Sequence, residues 1–113
     1  MPIQVAAHGF ELTTALRDSC IAEVSDRMSG LALHNLTARW TLSLNAGEYV
    51  AHIHWSDGPF HGDATVNSDD MYASILQSSK KATEQLKKAH AKRYDHHHAR
   101  PDVMVSEDED SEN

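Results

Sequence analysis

The sequence predicts an α+β fold: a β-α-β-β-β-α two-layer sandwich in which a four-stranded mixed sheet carries two helices on one face. Three observations predict it. Residues 36–44, LTARWTLSL, alternate apolar and polar without a break, as a strand with one buried face does. Two more alternating runs follow across short turn sequences, which makes a three-strand meander. A long segment, Ser68 to Arg93, repeats its apolar residues at helical spacing, and a shorter one does so between the first strand and the meander.

Taken in order, Ile3, Val5 and Ala7 alternate with Gln4, Ala6 and His8 until Gly9 ends the first strand. Thr13 or Thr14 can cap the helix that follows, which carries Leu16, Cys20, Val24 and Met28 at steps of four. Gly30 suits the left-handed position that closes a helix. In the second strand Leu36, Ala38, Trp40, Leu42 and Leu44 face the core, while Thr37, Arg39, Thr41 and Ser43 face out. Asn45-Ala46-Gly47 is turn chemistry, after which Tyr49, Ala51, Ile53 and Trp55 alternate with Val50, His52 and His54. Ser56-Asp57-Gly58-Pro59 reads as a four-residue turn. Phe60, Gly62, Ala64 and Val66 then alternate with His61, Asp63, Thr65 and Asn67. A strand, a helix and a strand make a crossover that sets the first strand parallel to the second, and the meander extends the sheet antiparallel.

In the last helix Tyr72, Ile75, Ser79, Ala82, Leu86 and Ala89 form the stripe expected to bury, widened by Met71 and Leu76. Ser68, Asp69 and Asp70 suit its capped N-terminus. Lys80, Lys81, Lys87, Lys88 and Lys92 fall on the opposite arc. Cations near a helix C-terminus gain about 0.3–1 kcal/mol each from the helix dipole, and five lysines exceed that need.

With 113 residues the chain forms one domain. No apolar run approaches the ~18 residues of a membrane span, and the start lacks a basic segment followed by an apolar block, which points to the cytoplasm. Cys20 is the only cysteine, so an internal disulfide and a thiolate metal cluster are excluded. The net charge of −7 is unevenly spread: residues 94–113 hold seven acids against Arg100, so residues 1–93 carry only −1. The expected organisation is an α+β domain over 1–93 and a disordered acidic tail over 94–113. Within the domain, Lys80 to Arg93 concentrates six cations against Glu84.

Thr14-Ala15-Leu16-Arg17-Asp18 opening the first helix, Asp70-Met71-Tyr72-Ala73 with Ile75 opening the second, and Gln85-Leu86-Lys87-Lys88 followed by Lys92 form an ordered set at fixed spacings. In these blocks and in element order, residues 1–93 resemble the ribosome hibernation promoting factor family, which includes the ribosome-associated inhibitor called protein Y and is also named after sigma-54 modulation. The resemblance implies a protein that is not an enzyme and needs no cofactor. It implies binding to the small ribosomal subunit and its 16S rRNA, in the channel between head and body where messenger and transfer RNA lie, and arrest of translation under stress or in stationary phase. By this carry-over Lys80, Lys81, Lys87, Lys88 and Lys92 contact rRNA phosphates, Arg93 extends the row, and Arg17 adds a contact from the first helix. Arg39 joins the set from the alternation pattern, as a cation on the polar sheet face. No membrane or DNA partner is expected, and the free protein is expected to be a monomer. His52, His54, His61 and Asp63 stand where the family would have basic residues. The second domain of the long members, used for ribosome dimerisation, is absent from the sequence.

The physical mechanism is counterion release. A rigid helix of 24 residues spans roughly 36 Å and lays several lysines along closely spaced phosphates without reading bases. An alternative function is metal binding by outward sheet histidines. A four-residue turn at 56–59 places His54 opposite His61 and His52 opposite Asp63, a set of nitrogen and oxygen ligands on one face. His96, His97 and His98 add a second cluster. For an enzyme there is no Gly-rich phosphate loop and no nucleophile beside a base, and Asp69-Asp70 is explained by helix capping.

Overall fold

Four strands and two helices follow one another as β-α-β-β-β-α. The computed structural model describes residues 3–95, with side chains as far as Ala91. The expected acidic tail and His96–His98 lie outside the described residues, except that Tyr94 and Asp95 continue the last helix. Strand β1 (Ile3–His8) pairs parallel with β2 (Leu36–Asn45), setting Gln4 beside Arg39 and Val5 beside Trp40. Helix α1 (Thr14–Glu23) makes the crossover between them. Strands β3 (Glu48–Asp57) and β4 (Phe60–Ser68) add antiparallel, for a sheet order of β1-β2-β3-β4. Helix α2 (Met71–Asp95) closes the fold.

The inner sheet face presents Trp40, Leu42, Ala51, Ile53 and Trp55, all fully buried, to Cys20, Val24 and Met28 on one side and Ile75, Ala82 and Leu86 on the other. Burying a large apolar side chain stabilises by roughly 1.5–3 kcal/mol, which makes this contiguous cluster the main source of stability. Ser74, Ser78 and Ser79 are buried too, and their size lets α2 lie close against its neighbours. Their hydroxyls are satisfied: Ser74 donates to the Tyr49 carbonyl at 2.6 Å, Ser78 to Ile75 at 3.1 Å, and Ser79 to Leu76 at 2.8 Å.

Four local expectations change. The first helical stretch begins as expected, with Thr13 Oγ1 accepting from Leu16 N at 3.1 Å, but it is α-helical only to Glu23 and then widens to a π-helical turn over Val24–Met28. Steps of four drift around an α-helix of 3.6 residues per turn, and a wider turn cancels that drift. Leu16, Cys20, Val24 and Met28 thereby all reach the core. Gly30 is not left-handed; it lies inside a 3₁₀ turn, Ser29–Leu31.

Tyr72, expected in the buried stripe, is 47% exposed, and the inward positions of the first turns are Met71, Ser74, Ile75 and Ser78. The stripe is rotated towards small residues, leaving the bulky phenol ring at its margin.

The hairpin between β3 and β4 is tighter than expected. Asp57 pairs with Phe60, so the loop is only Gly58-Pro59, and Gly58 has a φ of +65°. A positive φ at the first loop position followed by proline fits a type II′ turn. The register shifts accordingly: His54 stands opposite Asp63, His52 opposite Thr65 and Ser56 opposite His61. The expected His54–His61 and His52–Asp63 pairs are therefore diagonal neighbours and not directly opposite partners.

Candidate nucleic-acid interface

Helix α2 runs 25 residues, about 37 Å at 1.5 Å per residue. Lys80, Lys81, Lys87 and Lys88 are all exposed, on the arc opposite Ile75, Ala82, Leu86 and Ala89, so they point away from the sheet. The row is regular because 80, 81, 84, 87, 88 and 91 recur at three- and four-residue steps. Glu84 sits within it, with Oε2 3.8 Å from Lys87 Nζ. Both side chains are more than half exposed, so this pair contributes little and does not occupy the lysine. Lys92 and Arg93 continue the same helix in backbone, and their side chains lie beyond the described ones.

The other two predicted contacts are not on that arc. Arg17 is exposed on α1, in the same layer as α2. Arg39 is exposed on β2, facing out between its buried neighbours Ala38 and Trp40. Since both helices cover the inner sheet face, Arg39 and the lysine row occupy opposite sides of the molecule. The predicted residues therefore form two surfaces.

What aims the lysines is a set of contacts that sequence reasoning missed. Gln85, on the side of α2 next to β4, accepts from Trp55 Nε1 at 2.8 Å and donates to the Asp63 carbonyl at 2.6 Å. Gly62 makes room for this bridge: a Cβ there would stand 2.7 Å from Gln85 Oε1 and 2.8 Å from Trp55 Nε1. A glycine at an inward strand position was the one signal available. Two residues before Lys92, His90 Nε2 lies 3.0 Å from Oδ2 of Asp57, a fully buried carboxyl that also accepts from Leu33 N at 2.9 Å and His34 N at 2.8 Å. On the other flank, Ser79 Oγ shares its one proton between the Leu76 carbonyl and Glu23 Oε1, each at 2.8 Å, and Glu23 also holds Arg27. Three polar clamps thus fix the rotation of α2 about its axis.

The outer sheet face carries the histidines. Asp63 Oδ1 lies 2.8 Å from His52 Nε2 and 3.0 Å from His54 Nδ1. Partial desolvation pushes the Asp63 carboxyl upward, but hydrogen bonds and charge from His54 and His52 outweigh this and hold it below the usual carboxylate range. His61 stands one step away, its ring centroid 6.4 Å from that of His54. Among the described residues, no three His, Cys, Asp or Glu side chains are placed to hold a metal ion. The residues of the alternative metal reading, His52, His54, His61 and Asp63, are neighbours on the face without forming a coordination shell.

Comparison with known proteins bears on this arrangement. The N-terminal domain of Thermus thermophilus Protein Y is similar in structure, with a TM-score of 0.74 at 23% identity over 79% of this chain and 99% of that one. A ribosomal subunit interface protein from Coxiella burnetii is similar with a TM-score of 0.69 at 22% identity, over 81% of this chain and 100% of that one. Among curated proteins no match was found. At these identities the two structures show the fold. A family model described as Sigma 54 modulation protein / S30EA ribosomal protein matches residues 3–94, which takes in all four strands, α1 and all but the last residue of α2. With sheet order, helix placement and the family model in agreement, this chain belongs to the Sigma 54 modulation protein / S30EA ribosomal protein family.

Proposed function

We propose that this chain is a translation inhibitor that binds the small ribosomal subunit in the channel for messenger and transfer RNA, under stress or in stationary phase. It works by occupancy and performs no reaction. Family membership supports the ribosomal partner, and the single structural observation behind the mode of binding is the lysine row of α2, exposed along a helix held by three polar clamps. A pre-aimed row of ammonium groups pays little ordering entropy on binding and releases counterions from 16S rRNA phosphates. Lys80, Lys81, Lys87, Lys88 and Lys92 are the proposed phosphate contacts, with Arg93 at the end of the row and Arg17 alongside on α1. Arg39 belongs to a different surface. No helix among the described residues is long and apolar enough to cross a membrane, in keeping with a ribosomal partner.

Competition tests the location. Small subunits preloaded with messenger and initiator transfer RNA should exclude the chain, and adding the chain first should block that loading. Simultaneous binding of all three would place the chain elsewhere on the subunit.

A further inference from the structure

Among the described residues no element covers the outer face of the sheet, since both helices lie on the inner face. Arg39, His54 and Asp63 are direct neighbours across β2, β3 and β4. His52 reaches the same carboxyl oxygen from two residues along β3, and His61 lies beside His54 on β4. His52 and His54 are each more than a third exposed, so solvent protons and a ligand reach both rings. Around them stand hydroxyl and amide side chains, among them Thr37, Thr41, Ser43 and Asn67, which can donate to phosphate oxygens. The large exposed apolar side chains of the described residues, Leu33 and Tyr72, are both off this face.

We propose that this face is a second RNA-backbone surface, opened by protonation of His52, His54 and His61 and lying on the opposite side of the molecule from the lysine row. The inference deepens the ribosomal reading and rests on it. With neutral imidazoles, Arg39 is opposed by Asp63, and the other fixed charge on the face is Glu48, at the hairpin end of β3, where it accepts from Asn67. The face then carries no net positive charge to attract a polyanion. With three imidazolium rings and Arg39 against Asp63, three positive charges are in excess within one patch, with His8 at the end of β1 and Glu48 at the hairpin end of β3 as the other ionisable groups on the face. Imidazole is the side chain that changes charge between about pH 5 and 8, so a modest acidification switches the face. Asp63 has a defined place in this device: it draws His52 and His54 to one point and stays ionised when they charge, which limits their mutual repulsion. A chain with cations on both sides holds two RNA segments apart, while the same chain at neutral pH holds one.

The test is fluorescence anisotropy with a labelled RNA hairpin, at about pH 6 and about pH 7.5, in constant salt with a chelator so that no metal supplies the charge. Wild type should bind about tenfold more tightly at the lower pH, as the histidine face takes up RNA through phosphate contacts of its own. His52→Gln/His54→Gln/His61→Gln removes only outward side chains; its circular dichroism should match wild type and its affinity at the higher pH should be unchanged. Its gain at the lower pH should vanish, although six of the nine histidines are still present. A wild-type pH ratio near one, or a ratio retained in the triple variant, overturns the proposal. Lys87→Glu/Lys88→Glu separates the two readings: it should weaken binding at about pH 7.5, where the lysine row alone holds the RNA, and leave the acid-dependent binding at the histidine face, so its pH ratio should rise above that of wild type. Unweakened binding of that variant at the higher pH would count against the lysine row alone, with the acid-dependent gain still deciding the histidine face.

Discussion

His90, on the basic half of α2, places Nε2 3.0 Å from Oδ2 of Asp57, and Asp57 is fully buried at the end of β3. One carboxyl thereby ties the last helix to the sheet and, through the amides of Leu33 and His34, to the segment entering β2. Asp57→Ala should destabilise the domain by about 3–5 kcal/mol, because two backbone donors and an imidazole lose the buried carboxyl that holds them together. Asp57→Asn, which keeps an acceptor, should cost less. Urea unfolding followed by fluorescence of Trp40 and Trp55 measures both, and an alanine variant within about 1 kcal/mol of wild type would show that the carboxyl is not an anchor.

Two glycine replacements separate close approach from mere loop position. Gly62→Ala drives a Cβ into Gln85 and Trp55 and should cost about 1–3 kcal/mol, with a change in the fluorescence of the displaced indole. Gly30→Ala meets no atom within 4 Å and the backbone there has no positive φ, so it should be neutral or add up to about 1 kcal/mol. Equal effects from the two would contradict the packing described around Gln85.

The strands were legible because alternation is dictated locally: each outward or inward position from Leu36 to Leu42 follows from a period of two and one buried face. Loop length was less so. Ser56-Asp57-Gly58-Pro59 contains four turn-forming residues, but Asp57 is inward-facing and belongs to β3, because distant amides and His90 supply what a turn aspartate would take from water. That long-range compensation leaves no trace in the local pattern, and it moved the histidine register by two residues. Tyr72 fell outside the core for a similar reason. Which edge of an amphipathic stripe is buried depends on what the neighbouring helix offers, and Glu23, the partner of Ser79, is 56 residues away in the chain. The lysine row needed none of this, since residues opposite a buried stripe are exposed whatever the neighbours are.

Cys20 gives a test of the core that does not rely on mutation. Burial, with a smaller contribution from the charge of Glu23, pushes its thiol up from 9.0 to about 12, so the reactive thiolate is essentially absent at physiological pH. The native protein should resist an aromatic disulfide reagent at about pH 8 and react fully once unfolded in urea. Rapid stoichiometric reaction of the native state would mean that α1 does not pack as described.

The central claim is that the exposed lysines of α2 bind the small ribosomal subunit through phosphate contacts, and co-sedimentation tests it most directly. Wild type and Lys87→Glu/Lys88→Glu are spun with purified small subunits at about 50 and 200 mM salt, a range over which six phosphate contacts lose about 10³-fold in affinity. Wild type should pellet with the subunits at the lower salt and be released at the higher, and the double variant should stay in the supernatant at both. Wild-type binding that ignores salt, or a double variant that pellets like wild type, would contradict the claim.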